Sequence, residues 1–467
     1  MTSSITLKFF GAAKTVTGSK TLLKFKNNKN SAKVLVDCGL FQGPKKLREL
    51  NWKLFPHAEE IDAIILTHAH LDHSGYIPKL VKEGFRGKIY CTPATFELTQ
   101  IILRDSAHLQ EEDAIYANKS KYSRHVPALP LYTVEDAEKS LKYFSCIEQH
   151  HWVELCLGLS FQFFRAGHIL GSSLAQFSYS EENNIKLLTF SGDLGQDRSE
   201  VIKGPDHLTE TDILVLESTY GGKTLPKNNI KVSLKNIIND TAKNQGVVLI
   251  PAFSIGRTQE ILYLIAELER GSLIPILDVY LDGPMSVDAT QIYARYPDEL
   301  KLTELEKGRV PSLTTLRFKI IKTAEESKNL NKKKGPFIVI SSAGMLTGGR
   351  IMHHLKSRLP FAENALVFIG FQAPETKGRL LIEGLRTIRI HHQEIEVKAS
   401  VHNLEGMSAH AYSDEMISWL KTMIKLPSKV ILNHGEEDSL LALQEKIKRE
   451  TSIFDVVIAD YRQELEL

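Results

Sequence analysis

The chain of 467 residues lacks most of what would mark a protein for export, for a membrane or for wholesale binding to polyanions. It has only four cysteines, Cys38, Cys91, Cys146 and Cys156, and none falls in a CxxC pair. That fits reduced thiols that pack in a cytosolic protein better than a secreted disulfide scaffold. No apolar run approaches the roughly 20 residues that a spanning helix needs; the best, such as VVLIPAF from Val247, are strand-length. The amino terminus, MTSSITLKFFGAAKTVTGSKTLLKF, alternates short apolar and polar stretches with glycines, so no signal peptide is expected and the chain reads as cytoplasmic, with no membrane partner. Charge is also unremarkable: a formal +2, with 24% charged residues, means that any nucleic-acid contact must be local.

What is present is a series of strand-length apolar runs that end in chemically capable residues. VLVDCG from Val34, AIILTHAH from Ala63, KLLTFSGDLG from Lys186 and DILVLESTYG from Asp212 are the clearest. Between Pro93 and Lys119 the apolar spacing is helical. After Gly222 strands alternate with helices, from GVVLIPAF and SIGRTQEILYLIAELERG to PFIVISSAGMLTGGRIMHHL and ALVFIGFQ, which predicts a parallel, helix-covered sheet. Within it SKNLNKKKG, from Ser327, reads as a solvated loop. Beyond Arg389 a hairpin-like region precedes a helix (SDEMISWLKTMI), a strand (KVILNHGEE) and a final helix. The length suggests two or three domains.

The densest chemistry lies in LTHAHLDHSG, where His68, His70, Asp72 and His73 crowd into six positions just past an expected strand. Neutral imidazoles and a carboxylate at that density suit zinc or a similar divalent ion. One segment cannot complete two sites, so further ligands must come from other strand ends. His168 in FRAGHILGSS, Asp193 in FSGDLG and His434 in LNHGEE each follow an apolar run and adjoin a glycine that lets backbone approach closely.

The series Asp37 in VDCG, HAHLDH at 68 to 73, His168 in GHILG and Asp193 in SGDLG resembles the metallo-β-lactamase signature in order and spacing. ESTYG at Glu217, SAH at His410 and NHGE at His434 resemble motifs A, B and C of the β-CASP nucleases, a family that includes the pre-mRNA 3′-end endonuclease and ribonuclease J. DSAHLQEEDA and SSAGMLTGGRIMHHL are of the bacterial type, and the resemblance spans essentially the entire chain. It implies an α/β architecture: a metallo-β-lactamase αββα sandwich from residues 1–221 and 391–467, with a β-CASP domain, 222–390, inserted as a lid over a substrate cleft. It implies that His68, His70 and His168 hold one zinc, that Asp72, His73 and His434 hold a second, and that Asp193 bridges them. Asp37 would orient the ligands, and Asp72, Asp193, Glu217 and His410 would form the catalytic set. Histidine at motif C is the form found in RNA-processing members, so the substrate expected is single-stranded RNA. The resemblance also admits manganese in place of zinc, and a homodimer. The chain ends soon after its closing helix, without the extra domain of ribonuclease J, which favours endonuclease over processive exonuclease action.

Two metals about 3.5 to 4 Å apart can share a water, bring its pKa near neutrality and clamp the oxygens of an in-line phosphoryl displacement. Attack by that water leaves 5′-phosphate and 3′-hydroxyl ends. The resemblance makes His410 the proton donor to the leaving 3′ oxygen and Glu217 the carboxylate that holds its imidazole. PAFSIGRTQE and SSAGMLTGGR each pass from a strand through a glycine turn to a helix start, an arrangement that binds anions. Arg257, Ser342, Thr347, Gly349 and Arg350 are therefore expected at the RNA backbone, and Phe253, Phe371 and Tyr220 are candidate stacking platforms. Two rival functions are a thioester or lactone hydrolase and an inactive RNA-binding scaffold. The long insertion and the Glu217 and His410 pair oppose the first, and the complete ligand set opposes the second.

Overall fold

Alternation within the strands divides the protein's apolar side chains into layers, and those layers define the architecture. The computed structural model describes residues 3–121, 123, 125–181, 184–226, 229–301, 313–370, 372 and 376–467. The chain forms two compact units, one from residues 1–198, 204–224 and 410–467, the other from 199–203 and 225–409.

The first unit holds two seven-stranded sheets. One runs, in spatial order, Glu464–Glu466, Ser4–Phe9, Thr21–Lys26, Ser31–Val36, Ala63–Ile65, Lys88–Cys91 and Phe144–Cys146. The other runs Asp455–Ile458, Lys429–Asn433, Ile213–Glu217, Asn184–Phe190, Ser173–Glu181, Leu159–Arg165 and Val153–Cys156. Ile5, Leu7, Phe9, Val34 and Ile65 of the first sheet pack with Phe161, Phe163, Phe177, Val215 and Ile431 of the second in one buried layer. Each such phenylalanine taken from water contributes about 1.5–3 kcal/mol.

The opposite faces are covered by helices. Leu35, Ile64 and Ile89 pack beneath helices Ile77–Lys82, Pro93–Ser120 and Val134–Leu141. Leu214, Leu216, Val430 and Leu432 pack beneath Ser413–Leu420 and Glu437–Glu450. The result is the expected helix, sheet, sheet, helix sandwich. Because residues 213 and 215 face the inner layer while 214 and 216 face the helices, strand parity is fixed right up to Glu217.

The second unit is built on an all-parallel six-stranded sheet, ordered Phe318–Ile321, Asp278–Asp282, Phe337–Ser341, Val247–Pro251, Ala365–Phe368 and Ser400–Asn403. Val248 and Ile250 face one helical layer, Val247 and Leu249 the other, as a sheet buried on both faces requires. Three features differ from the sequence reading. The Ser400–Asn403 strand pairs with Ala365–Phe368, so this unit runs to Ala409 and not to 390. Part of the Lys-rich segment is helical, since Thr323 caps a helix Ala324–Leu330 that contains Ser327. The chain also continues past its last helix into two short strands, Asp455–Ile458 and Glu464–Glu466, which are too brief to show a period in sequence. Among the described residues, no helix is long and apolar enough to cross a membrane.

Candidate metal centre and catalytic site

The strand ends of the first unit converge on one cluster. Asp37 follows the Ser31–Val36 strand with a left-handed backbone (φ 59°), uncommon for a residue with a side chain. Its own N–H bonds Ile65 O at 3.0 Å, and its carboxylate accepts from the Thr67 N–H at 2.8 Å and the Thr67 hydroxyl at 2.9 Å. Gly39 must be glycine here: a Cβ would lie 1.6 Å from the carbonyl oxygen of Asp72. Asp37 thereby ties two strand ends together and fixes the loop that carries His68, His70, Asp72 and His73.

Within 4.8 Å of one another lie ligand atoms of His68, His70, His168 and Asp193, and in a second group those of Asp72, His73 and His434. In the first group His70 Nδ1 is 3.2 Å from both His68 Nε2 and His168 Nε2, and Asp193 Oδ2 is 3.5 Å from those two Nε2 atoms. Nitrogens bound tetrahedrally to zinc at about 2.0–2.1 Å stand about 3.3 Å apart, so these spacings fit an ion. In the second group His73 Nε2 is 3.1 Å from His434 Nε2, and Asp72 Oδ2 is 3.6 Å from the latter. Asp193 Oδ1 approaches His73 Nε2 at 3.3 Å, so one carboxylate turns an oxygen towards each group. That Oδ1 is buried and, among the described residues, has no hydrogen-bond partner, which is the state expected of an atom whose partner is a metal.

Outer partners set the imidazole tautomers. His73 Nδ1 donates to Asp37 Oδ2 at 2.7 Å, and His68 Nδ1 meets the Thr67 hydroxyl at 3.1 Å. His434, also left-handed (φ 51°), bonds the Thr219 hydroxyl through Nδ1 at 3.1 Å. In all three Nε2 is the nitrogen that faces the cluster.

Burial pushes His68 well below the ordinary imidazole range, aided by neighbouring His73, and brings His70 down to about 4. Burial acts the same way on His73, but the carboxylates of Asp193 and Asp37 outweigh it and hold that imidazole well above its usual value. Burial opposes ionisation of Asp193, yet His434 and His73 keep its pKa well below normal. Asp72 is likewise lowered against burial, by its bond to His434. Burial thus favours neutral imidazoles at His68 and His70, while in the second group the carboxylates hold on His73 a proton that a cation would replace.

Glu217 and His410 meet beside this cluster. Glu217 Oε1 accepts from Leu194 N–H at 2.7 Å and from His410 Nδ1 at 3.0 Å, and Oε2 accepts from Thr219 N–H at 3.1 Å. His410 is the more open partner, with 21% of its side chain exposed, and its ring lies 4.5 Å from that of His168. Tyr220 packs on His410 with centroids 5.9 Å apart.

The residues expected at the RNA backbone lie in the second unit, after the neighbouring strands Val247–Pro251 and Phe337–Ser341. Thr347 and Gly349 are exposed, and the Ser342 hydroxyl meets that of Ser254 at 2.7 Å. The two arginines are engaged within the unit. Arg257 pairs with Glu260, while Arg350 donates to Asp282 Oδ1 at 2.8 Å and to the carbonyl oxygen of Lys322 at 2.6 Å. Asp282, fully buried, also holds His354 Nε2 at 2.6 Å and the Ser327 hydroxyl. Sequence reasoning missed this node; its only signal was a carboxylate at a strand end, in YLDGP. Phe253 is exposed, Tyr220 is buried, and Phe371 lies outside the described residues.

Models of three known domains match the chain in order: a metallo-beta-lactamase superfamily domain over residues 22–211, a Beta-Casp domain over 258–381, and a Zn-dependent metallo-hydrolase RNA specificity domain over 394–459. Ribonuclease TTHA0252 of Thermus thermophilus is 36% identical over 93% of this chain and 94% of its own length. Transcription termination factor FttA of Methanocaldococcus jannaschii is 29% identical over 95% of this chain and 69% of its own. A protein of unknown function from Enterococcus faecalis V583, known from a crystal structure, shares the fold with a TM-score of 0.57 at 13% identity, over 99% of this chain and 100% of that one.

Proposed function

The chain belongs to the β-CASP family of the metallo-β-lactamase superfamily, and from that premise we propose that it is a metal-dependent ribonuclease. Its substrate is single-stranded RNA, cut internally to leave 5′-phosphate and 3′-hydroxyl ends. The observation that carries this reading is the contact between Glu217 and His410, 3.0 Å, beside the two histidine-rich groups; Asp193, Glu217 and His410 could themselves hold an ion, and we read the pair instead as an acid and its carboxylate. A thioester or lactone hydrolase needs a metal site; it has less need of a second, partly exposed acid held in place by a carboxylate.

His68, His70, His168 and Asp193 would hold one zinc, and Asp72, His73, His434 and Asp193 a second. Two such ions supply positive charge to a phosphate and acidify water to near neutrality. The chain's own residues do the rest. Asp193 keeps the two groups in register. Asp37, Thr67 and Thr219 keep the imidazole Nε2 atoms facing inward. Glu217 fixes His410 through Nδ1, which leaves Nε2 to deliver a proton to the departing 3′ oxygen. Thr347 and Gly349, exposed in the loop after Phe337–Ser341, are the phosphate contacts favoured in the second unit, because Arg257 and Arg350 are committed to internal carboxylates.

The test uses zinc-loaded protein on labelled circular and linear RNA, with a thioester panel in parallel. Linearisation of the circle, with 5′-phosphate termini, is the expected outcome, and replacing the 2′-hydroxyl at the cut should not stop it. Turnover of thioesters without RNA cleavage would overturn the proposal, and cleavage confined to free ends would overturn its endonucleolytic part.

A further inference from the structure

Tyr220, three residues after Glu217, is only 9% exposed. Its ring packs against His410 and, at 5.1 Å between centroids, against Tyr412. The ammonium of Lys223 stands 4.4 Å from the centre of the same ring. A ring so covered has no room for a base. What it does is link the proton-donating side of the site to a cation.

Both ends of Lys223 are placed. Its carbonyl oxygen accepts from the Ser413 N–H at 3.1 Å and the Ser413 hydroxyl at 2.9 Å, at the first residue of helix Ser413–Leu420. Its ammonium is attracted to the π face of Tyr220, and the residue as a whole remains exposed. Arg198 stands over Tyr412 at 5.3 Å, but it is ion-paired to Glu415 at 3.2 Å. A lysine whose head is already positioned loses less freedom on meeting a ligand than a mobile one. The carboxylates Asp37, Asp72, Asp193 and Glu217 offset part of the positive charge that ions would bring, so a cation at this rim adds attraction for a polyanion.

We propose that Lys223 is a substrate-binding residue whose ammonium grips the phosphate next to the scissile one, and that Tyr220 is the residue that positions it. Since His410 serves the leaving 3′ oxygen, the phosphate gripped is on the 5′ side of the cut. This inference rests on the reading of the site as a phosphodiester hydrolase.

The experiment is steady-state cleavage of a labelled single-stranded RNA by the zinc-loaded full chain over a range of sodium chloride concentrations. Lys223→Ala should raise KM about five- to tenfold with kcat nearly unchanged, and should flatten the dependence of log(kcat/KM) on log[salt] by about 0.7, the contribution of one single-strand phosphate contact. Lys223→Arg and Tyr220→Phe should restore most of the binding. Tyr220→Leu should lose it, and should also lower kcat, because His410 loses one of its packing partners. If the native protein cleaves RNA and Lys223→Ala leaves the salt dependence unchanged, the inference fails while the ribonuclease reading stands. If the native protein does not cleave RNA, both fail.

Discussion

Glu217 and His410 stand 193 positions apart in sequence, and Glu217 Oε1 accepts from His410 Nδ1 at 3.0 Å. The carboxylate is itself immobilised by two backbone N–H groups, from Leu194 and Thr219, so it presents the imidazole in one orientation. Neither residue contributes to the two groups built on the HxHxDH segment, which gives the pair a separable role.

Replacing either residue should therefore leave metal content intact and slow the chemistry. His410→Ala and Glu217→Gln are each expected to retain the native zinc content by mass spectrometry while kcat on RNA falls by about 10²–10⁴, the range for loss of a general acid. Loss of zinc in His410→Ala would instead make His410 a ligand.

Asp193 should behave in the opposite way. With one oxygen 3.5 Å from His68 and His168 and the other 3.3 Å from His73, Asp193 is placed so that Asp193→Ala is expected to remove a ligand from both groups at once. Zinc content should fall by more than one equivalent, whereas His168→Ala should cost about one. Equal losses in the two variants would mean that the carboxylate does not bridge.

Acid should weaken the metal-free protein. His68 and His70 have folded pKa values below 6.5, so as pH falls the unfolded chain takes up protons that the folded one refuses. His70 alone, held to about 4, should cost about 2 kcal/mol at pH 5 relative to pH 7. His73 has the opposite sign: its raised pKa contributes stability that is complete below 6.5 and is lost only as pH rises through the folded value. Urea unfolding of chelator-treated protein at pH 7 and pH 5 measures the difference, and His70→Gln should reduce it.

Metal loading at pH 7 should release the proton that the neighbouring carboxylates hold on His73. Calorimetric titration with zinc in two buffers of different ionisation enthalpy counts it. A count near zero would mean that His73 is neutral before loading.

In the second unit, Asp282→Ala should destabilise by about 3–5 kcal/mol, since it strands Arg350 and buried His354 without their shared carboxylate. Zinc content should not change. Denaturant unfolding followed together with zinc analysis separates this effect from damage to the metal centre.

The local chemistry was legible in the sequence because it is local. HxHxDH lies within six residues, and His168, Asp193 and His434 each follow a strand that its apolar run announces, so strand parity delivers them to one end of a sheet. The short strands Asp455–Ile458 and Glu464–Glu466 were not legible, because three or four residues show no period and are held by pairing with Lys429–Asn433 and Ser4–Phe9. Ser400–Asn403 looked like part of a hairpin until its pairing with Ala365–Phe368 assigned it to the parallel sheet.

By itself, the sequence determined which residues can bind a metal and that sheets would carry them, since residue type and periodicity are properties of short segments. Only the tertiary structure decided which nitrogen of each histidine is left bare, that the two oxygens of Asp193 face different groups, that Asp282 engages Arg350, and that Tyr220 carries Lys223 instead of a base. Most of these depend on distances between side chains far apart in the chain. Such distances follow from how the layers pack, and no local pattern encodes them.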